Sequence, residues 1–172
     1  MLNPLAVVIV VAGLSIPLAQ AAQAGATHVQ ASQTATEGFI AYQRHDYASA
    51  LRLWTIAANR GDPVAQFQIG HLYGAGEGVA KDPVTSAAWN RKAADHGLAG
   101  AQFVMGLMYS KGTGVAQDYA AAVNWERKAA AQGFPQAAHM LGDLYAKGHG
   151  VPMDQVQAAK WYRMSTVDSN GQ

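Results

Sequence analysis

Small, apolar and polar residues fall in helix-sized blocks along the chain, and the blocks return with a step of 36 residues. Gly61, Gly97 and Gly133 lie one step apart, as do Ala65, Ala101 and Ala137, then Gly70, Gly106 and Gly142, then Tyr73, Tyr109 and Tyr145. The register continues without a slip through Gly76, Gly112 and Gly148; Gly78, Gly114 and Gly150; Val79, Val115 and Val151; Asp82, Asp118 and Asp154; Trp89, Trp125 and Trp161; and Arg91, Arg127 and Arg163. A fixed period of about 20 to 50 residues is the signature of a solenoid, in which each unit buries its apolar face against its neighbours. The pattern predicts an all-α array of antiparallel helix pairs, with repeats over 61–96, 97–132 and 133–168.

Each recurring position has a physical reading within such a pair. Gly61 can take the left-handed conformation that ends a helix, and Asp62-Pro63 after it reads as an N-cap with proline at the first helical position. The first helix of the pair, helix A, runs to about Tyr73, and Gly70 inside it costs about 1 kcal/mol against alanine, which predicts a close approach by the neighbouring helix. The turn Gly76 to Val79 supplies glycines for unusual backbone angles and a valine that can plug back into the core. Asp82 caps the second helix, helix B, where Trp89 shares a face with the small residues Ser86 and Ala93 and can reach across to helix A.

Upstream, Asp46-Tyr47-Ala48 to Gly61 aligns without gaps on the helix B segment Asp118-Tyr119-Ala120 to Gly133. Its partner, about Thr36 to Arg44, reaches Asp46 with no Gly-x-Gly turn, so residues 35–60 are expected to form a shorter N-terminal helix pair that caps the array. Residues 22–34 are small and polar and read as a mobile leader, and residues 169–172 as a tail.

Leu5 to Leu18 is an apolar run of signal-peptide length, too short for the ~20 residues that span a bilayer, and Ala19-Gln20-Ala21 and Ala22-Gln23-Ala24 offer cleavage sites after it. Residues 1–21 are therefore expected to be an export signal and the mature chain to be periplasmic or secreted, although no Lys or Arg precedes the run. There is no cysteine, so neither a disulfide framework nor a lipidated Cys after the signal can form.

These residues resemble the Sel-one-like repeat, a 36-residue relative of the tetratricopeptide repeat. The pattern Gly-Asp-x-x-Ala-Gln-x-x-Ile-Gly-x-x-Tyr-x-x-Gly-x-Gly-Val stands at Gly61 to Val79 and largely recurs twice more. The resemblance implies a right-handed α-solenoid, helix A on its concave side, that serves as an adaptor in protein complexes, often in bacterial envelopes.

Chemistry is hard to find in the sequence. With 12 Lys and Arg against 11 Asp and Glu, the net charge of +1 gives no footprint for nucleic acid. Gly74 to Gly78 lacks the Gly-Lys-Ser/Thr of a phosphate loop and reads as an inter-helix turn. The six histidines form no His-x-x-x-His; His139 with Asp143 supplies two ligands where a tetrahedral site needs four, so no metal and no cofactor are expected. Glu37, Glu77 and Glu126 fall in different units, and neither Gly-x-Ser-x-Gly nor Ser-x-x-Lys occurs, so the chain reads as non-enzymatic. Some cysteine-rich secreted members of the resembled family are linked to β-lactams, but their cysteines are missing here. The recurring Trp and Tyr read as core rather than as a sugar-binding box.

Positions alike in all units report what the solenoid needs, and positions that vary on one helix face report what it binds. Along helix A the i, i+4, i+7 and i+11 line gives Val64, Gln68, His71 and Ala75; Gly100, Val104, Leu107 and Lys111; and Gln136, Met140, Asp143 and Lys147. The expected partner-binding set is Gln68, His71, Val104, Leu107, Lys111, Met140, Asp143 and Lys147, with Val104, Leu107 and Met140 as its apolar centre; packing against the next unit is the competing reading. The partner is expected to be another protein. An immunity or inhibitor protein directed at an exported toxin or hydrolase is the alternative, and a cell-wall or β-lactam hydrolase a distant third.

Overall fold

The computed structural model describes residues 8–11 and 14–167, with side-chain surroundings from residue 30 to residue 166. Among the described residues there are eight helices: α1 (Leu18–Gln43), α2 (Tyr47–Asn59), α3 (Pro63–Ala75), α4 (Pro83–Asp95), α5 (Ala99–Lys111), α6 (Tyr119–Ala130), α7 (Pro135–Lys147) and α8 (Gln155–Val167). They pack most extensively within the pairs α1/α2, α3/α4, α5/α6 and α7/α8, and each pair rests on the next through α2/α3, α4/α5 and α6/α7. This is an all-α solenoid of helix pairs.

Two places at the N-terminus differ from expectation. Residues 22–34, expected to be a mobile leader, lie inside α1. Alanine and glutamine favour helix, and the same smallness that leaves little area to bury lets Ala31 and Ala35 seat at 0% and 6% exposure. Within the expected export signal, the strands β1 (Val8–Val11) and β2 (Leu14–Pro17) pair antiparallel, consistent with their β-branched content. The rest of that segment before Leu14, and the tail 169–172, lie outside the described residues.

The caps follow the sequence closely. Asp46, Asp62, Asp82 and Asp118 each accept a backbone N–H of the first turn of α2, α3, α4 and α6, at 3.1, 2.9, 3.0 and 3.0 Å. Leu98 and Phe134 stand at the N-caps of α5 and α7 with no side-chain cap bond, so only the first 36-residue unit has a capped helix A. At Gly114 (φ +72°) the turn backbone runs against the Pro83 carbonyl of the preceding repeat, where an added Cβ would collide. The second glycine of the turn is thus the place where one repeat meets the last, and Val79, Val115 and Val151 behind it pack on three successive core clusters.

Alanines build the joints between pairs. Ala57-Ala58, Ala93-Ala94 and Ala129-Ala130 at the ends of α2, α4 and α6 are buried together with Ala65, Ala101 and Ala137 of the following helices. The corresponding positions of α8 are Ser165 and Thr166, so the alanine pair is not repeated on that helix. Trp54 and Trp125 are buried and Trp89 and Trp161 are partly buried against core clusters, as a core role requires.

The approach expected at Gly70 is made mainly by a side chain. An added Cβ on Gly70 would meet Asn90 Nδ2 at 2.6 Å, and the glycines Gly38, Gly106 and Gly142 face Trp54, Glu126 and Tyr162 in the same way. These four helix B residues are 36 apart and chemically unrelated. Each pair therefore has one constant gap and its own filler.

Candidate partner-binding face

Several helix A residues line clefts between successive repeats, of which three adjoin the expected face. The first, about 370 Å³, lies where α3, α4 and α5 meet and is lined by Phe67, Gly70, His71, Gly74, Ala75, Ser86, Asn90, Val104, Met108 and Thr113. Glycines on α3 and a serine on α4 leave this space, because larger side chains at those positions would fill it. At its floor Ser86 Oγ donates to the Gly70 carbonyl at 2.7 Å, and Asn90 Nδ2 donates to the Ser86 carbonyl at 2.9 Å.

The second cleft, about 250 Å³, lies one unit later between α5 and α7 and shares two positions with the first, Phe103 for Phe67 and Met140 for Val104, beside Gln136, His139 and Asp143. A third of about 260 Å³ adjoins it around Ser110, Tyr119, Met140, Asp143, Leu144, Lys147 and His149. Tyr162 donates to Asp143 Oδ1 at 2.7 Å, which anchors the carboxylate at the shared rim and raises the Tyr162 phenol above its ordinary value. At the other end of the face Tyr42 donates to Glu77 Oε2 at 2.8 Å, which raises the Tyr42 phenol in the same way, and His71 Nδ1 stands 3.7 Å from that oxygen.

The expected site residues divide accordingly. His71 and Val104 meet in the first cleft, Met140 and Asp143 in the second, and these two join Lys147 in the third. Gln68 and Leu107 are half-buried and Lys111 is exposed, outside the linings of these clefts. Val104 and Met140 also pack against the second and third core clusters, so part of their surface serves the joints between repeats. Phe67 and Phe103 were missed as lining residues; their 36-residue spacing was the available signal, because a large apolar side chain that recurs on helix A must pack or line something. Ser86 and Asn90 lie on helix B and were invisible to a reading confined to helix A.

Among the described residues no group of three or more His, Cys, Asp and Glu side chains could hold a metal ion, and no helix is long and apolar enough to cross a membrane. A sequence model of the Sel1 repeat matches residues 37–62, 63–98, 99–134 and 135–166. The chain belongs to the Sel1 repeat family. Sel1 repeats generally mediate protein–protein interaction, and proteins built from them are typically non-enzymatic scaffolds.

Two solved Sel1-type structures give the fold at closer range. A Sel1 repeat protein from Oxalobacter formigenes is 39% identical, with a TM-score of 0.72 over 77% of this chain and 54% of its own. A protective antigen present in uropathogenic Escherichia coli strains, with an SLR fold, is 33% identical, with a TM-score of 0.73 over 88% of this chain and 32% of its own. The chain thus spans about half the length of the first and a third of the second. A putative Sel1 repeat protein from Klebsiella pneumoniae shares the fold at 23% identity and a TM-score of 0.60, over 84% of this chain and 70% of its own. No curated protein matches the chain.

Proposed function

We propose that this Sel1 repeat chain is an exported scaffold of the bacterial envelope that holds another protein along the face of α3, α5 and α7. The observation that carries the reading is the row of clefts along α3, α5 and α7 in which positions one repeat apart recur, Phe67 and Phe103, Val104 and Met140, and Thr113 and His149, while the other lining residues change. A repeated framework with changing linings suits recognition of one extended partner surface by several neighbouring pockets. Interface energy concentrates in a few central apolar side chains with a polar rim, and Val104, Leu107 and Met140 flanked by His71, Lys111, Asp143 and Lys147 match that division. Gln68 lies beside them on α3. Export rests on the apolar run and the Ala-x-Ala sites, and cleavage after Ala21 or Ala24 would remove the β1–β2 hairpin while leaving most of α1.

The test is partner capture from envelope extracts with the wild type and with Leu107→Lys, the half-buried centre of the face. Capture of a defined protein should fall at least tenfold while the unfolding midpoint moves little. Equal capture by both proteins would overturn the docking face, and intact Met1 on protein recovered from the envelope would overturn cleavage.

A further inference from the structure

Three of the four fillers that face the helix A glycines have hydrogen-bond partners. Trp54 Nε1 donates to the Ala35 carbonyl at 3.1 Å, Asn90 Nδ2 to the Ser86 carbonyl at 2.9 Å, and the Tyr162 hydroxyl to Asp143 at 2.7 Å. Glu126 is different. It is 0% exposed, it presses on Gly106, and neither carboxyl oxygen has a hydrogen-bond partner. The serine that supports Asn90 in the preceding repeat is Ala122 here, so the local donor is gone. An ionised carboxylate enclosed in this way would lose its hydration with nothing in exchange, and such a group takes up a proton instead.

We propose that Glu126 makes the α5/α6 pair the pH-sensitive link of the solenoid: its neutral acid fits the gap over Gly106, and its ionised form forces the two helices apart. Charged neighbours do not offset this. From α5, Tyr109 is bonded by Arg91 and Lys111 is exposed. From α7, Asp143 is held by Tyr162, Tyr145 by Arg127, and His139 and Lys147 are exposed. On α6 itself, Arg127 and Lys128 turn outward to Tyr145 and the Trp125 ring, and Tyr119 stacks on His149. From α4, Arg91 lies over the Trp125 ring and pairs with Asp95. Burial alone accordingly pushes the Glu126 carboxyl up to about 9 from its ordinary 4.5.

The direction of the linkage is the reverse of ordinary acid denaturation. Between 4.5 and about 9 the folded chain holds a proton at Glu126 that the unfolded chain has released. This group therefore favours folding fully below its unfolded value, and the advantage is lost as pH rises toward the folded one. Over that window the folding constant should fall by up to about tenfold per pH unit relative to a variant without the acid.

The experiment is urea unfolding of the full chain and of Glu126→Gln at several pH values from 5 to 9.5, with amide hydrogen exchange of both proteins at matched pH. The ratio of their folding constants should shift steadily toward the variant as pH rises, and the wild type should lose protection first in α5 and α6. Parallel stability curves, or a pH-dependent loss of protection confined to other helices, would overturn the proposal. If the amide prevents folding, Glu126→Met supplies an uncharged side chain of similar length, and the same comparison decides. Partner capture is left out of this test, so it can succeed or fail independently of the docking face.

Discussion

The α3/α4 and α5/α6 pairs are built on one plan and differ where they are most enclosed. Both have the helix A glycine, the helix B tryptophan and the aspartate cap, yet between the helices one has Ser86 with Asn90 and the other Ala122 with Glu126. In the first, hydroxyl and amide bond each other and the backbone, leaving one Asn90 oxygen unpartnered; in the second, both Glu126 oxygens are left over. The repeat thus dictates the gap but not what occupies it. The occupant decides whether a pair is held by apolar contact, by hydrogen bonds or by a proton.

The strongest way to break this comparison is at the filler with the largest apolar surface. Trp54→Ala should destabilise the chain by about 3 to 5 kcal/mol, because the indole is 1% exposed, packs edge-on against Phe39 at 5.4 Å and closes the gap over Gly38. Chemical denaturation measures the loss. A cost below about 1 kcal/mol would mean that the pairs do not depend on their fillers and that the surrounding alanine joints suffice.

Exchanging the polar support between the two pairs sharpens the comparison at smaller amplitude. Ser86→Ala removes a buried donor to the Gly70 carbonyl and an acceptor for Asn90, and should cost about 1 to 3 kcal/mol. The reciprocal Ala122→Ser places a hydroxyl one helical turn before Glu126 and should stabilise the chain at neutral pH by about 1 kcal/mol. Opposite signs in the two thermal unfolding experiments would confirm that polar satisfaction separates the pairs. A loss from both would mean that packing volume, rather than hydrogen bonding, sets the residue at this position.

How much of this was legible in the sequence follows from the same distinction. Positions that recur announce themselves, so the cap at Asp82, the turn glycines and the tryptophans were readable from self-comparison, while the cap at Asp62 was readable from the proline that follows it. The residues at 54, 90, 126 and 162 were not, since four unrelated side chains in one place carry no periodic signal. The helix over residues 22–34 was missed for a different reason: an alanine such as Ala31 buries little area, and a closely packed position makes use of its smallness in a way that hydrophobicity alone does not reveal. On the candidate face the varying line along helix A led to Val104, Met140 and Asp143, but a line on one helix says nothing about the Ser86–Asn90 floor that α4 supplies.

The smallest expected effect lies at the rim. Lys111 is exposed on the last turn of α5, with its charge near the helix C-terminus, where a cation is weakly favourable. Lys111→Ala should change stability by no more than about 0.5 kcal/mol and should leave partner capture close to wild type, as rim residues do. Paired with Leu107→Lys it separates two kinds of recognition. If removing one charge weakens capture as much as adding one at the apolar centre, and rising salt weakens wild-type capture in parallel, then the partner is held by charge along the rim, and the clefts at Val104 and Met140 serve the joints between repeats alone.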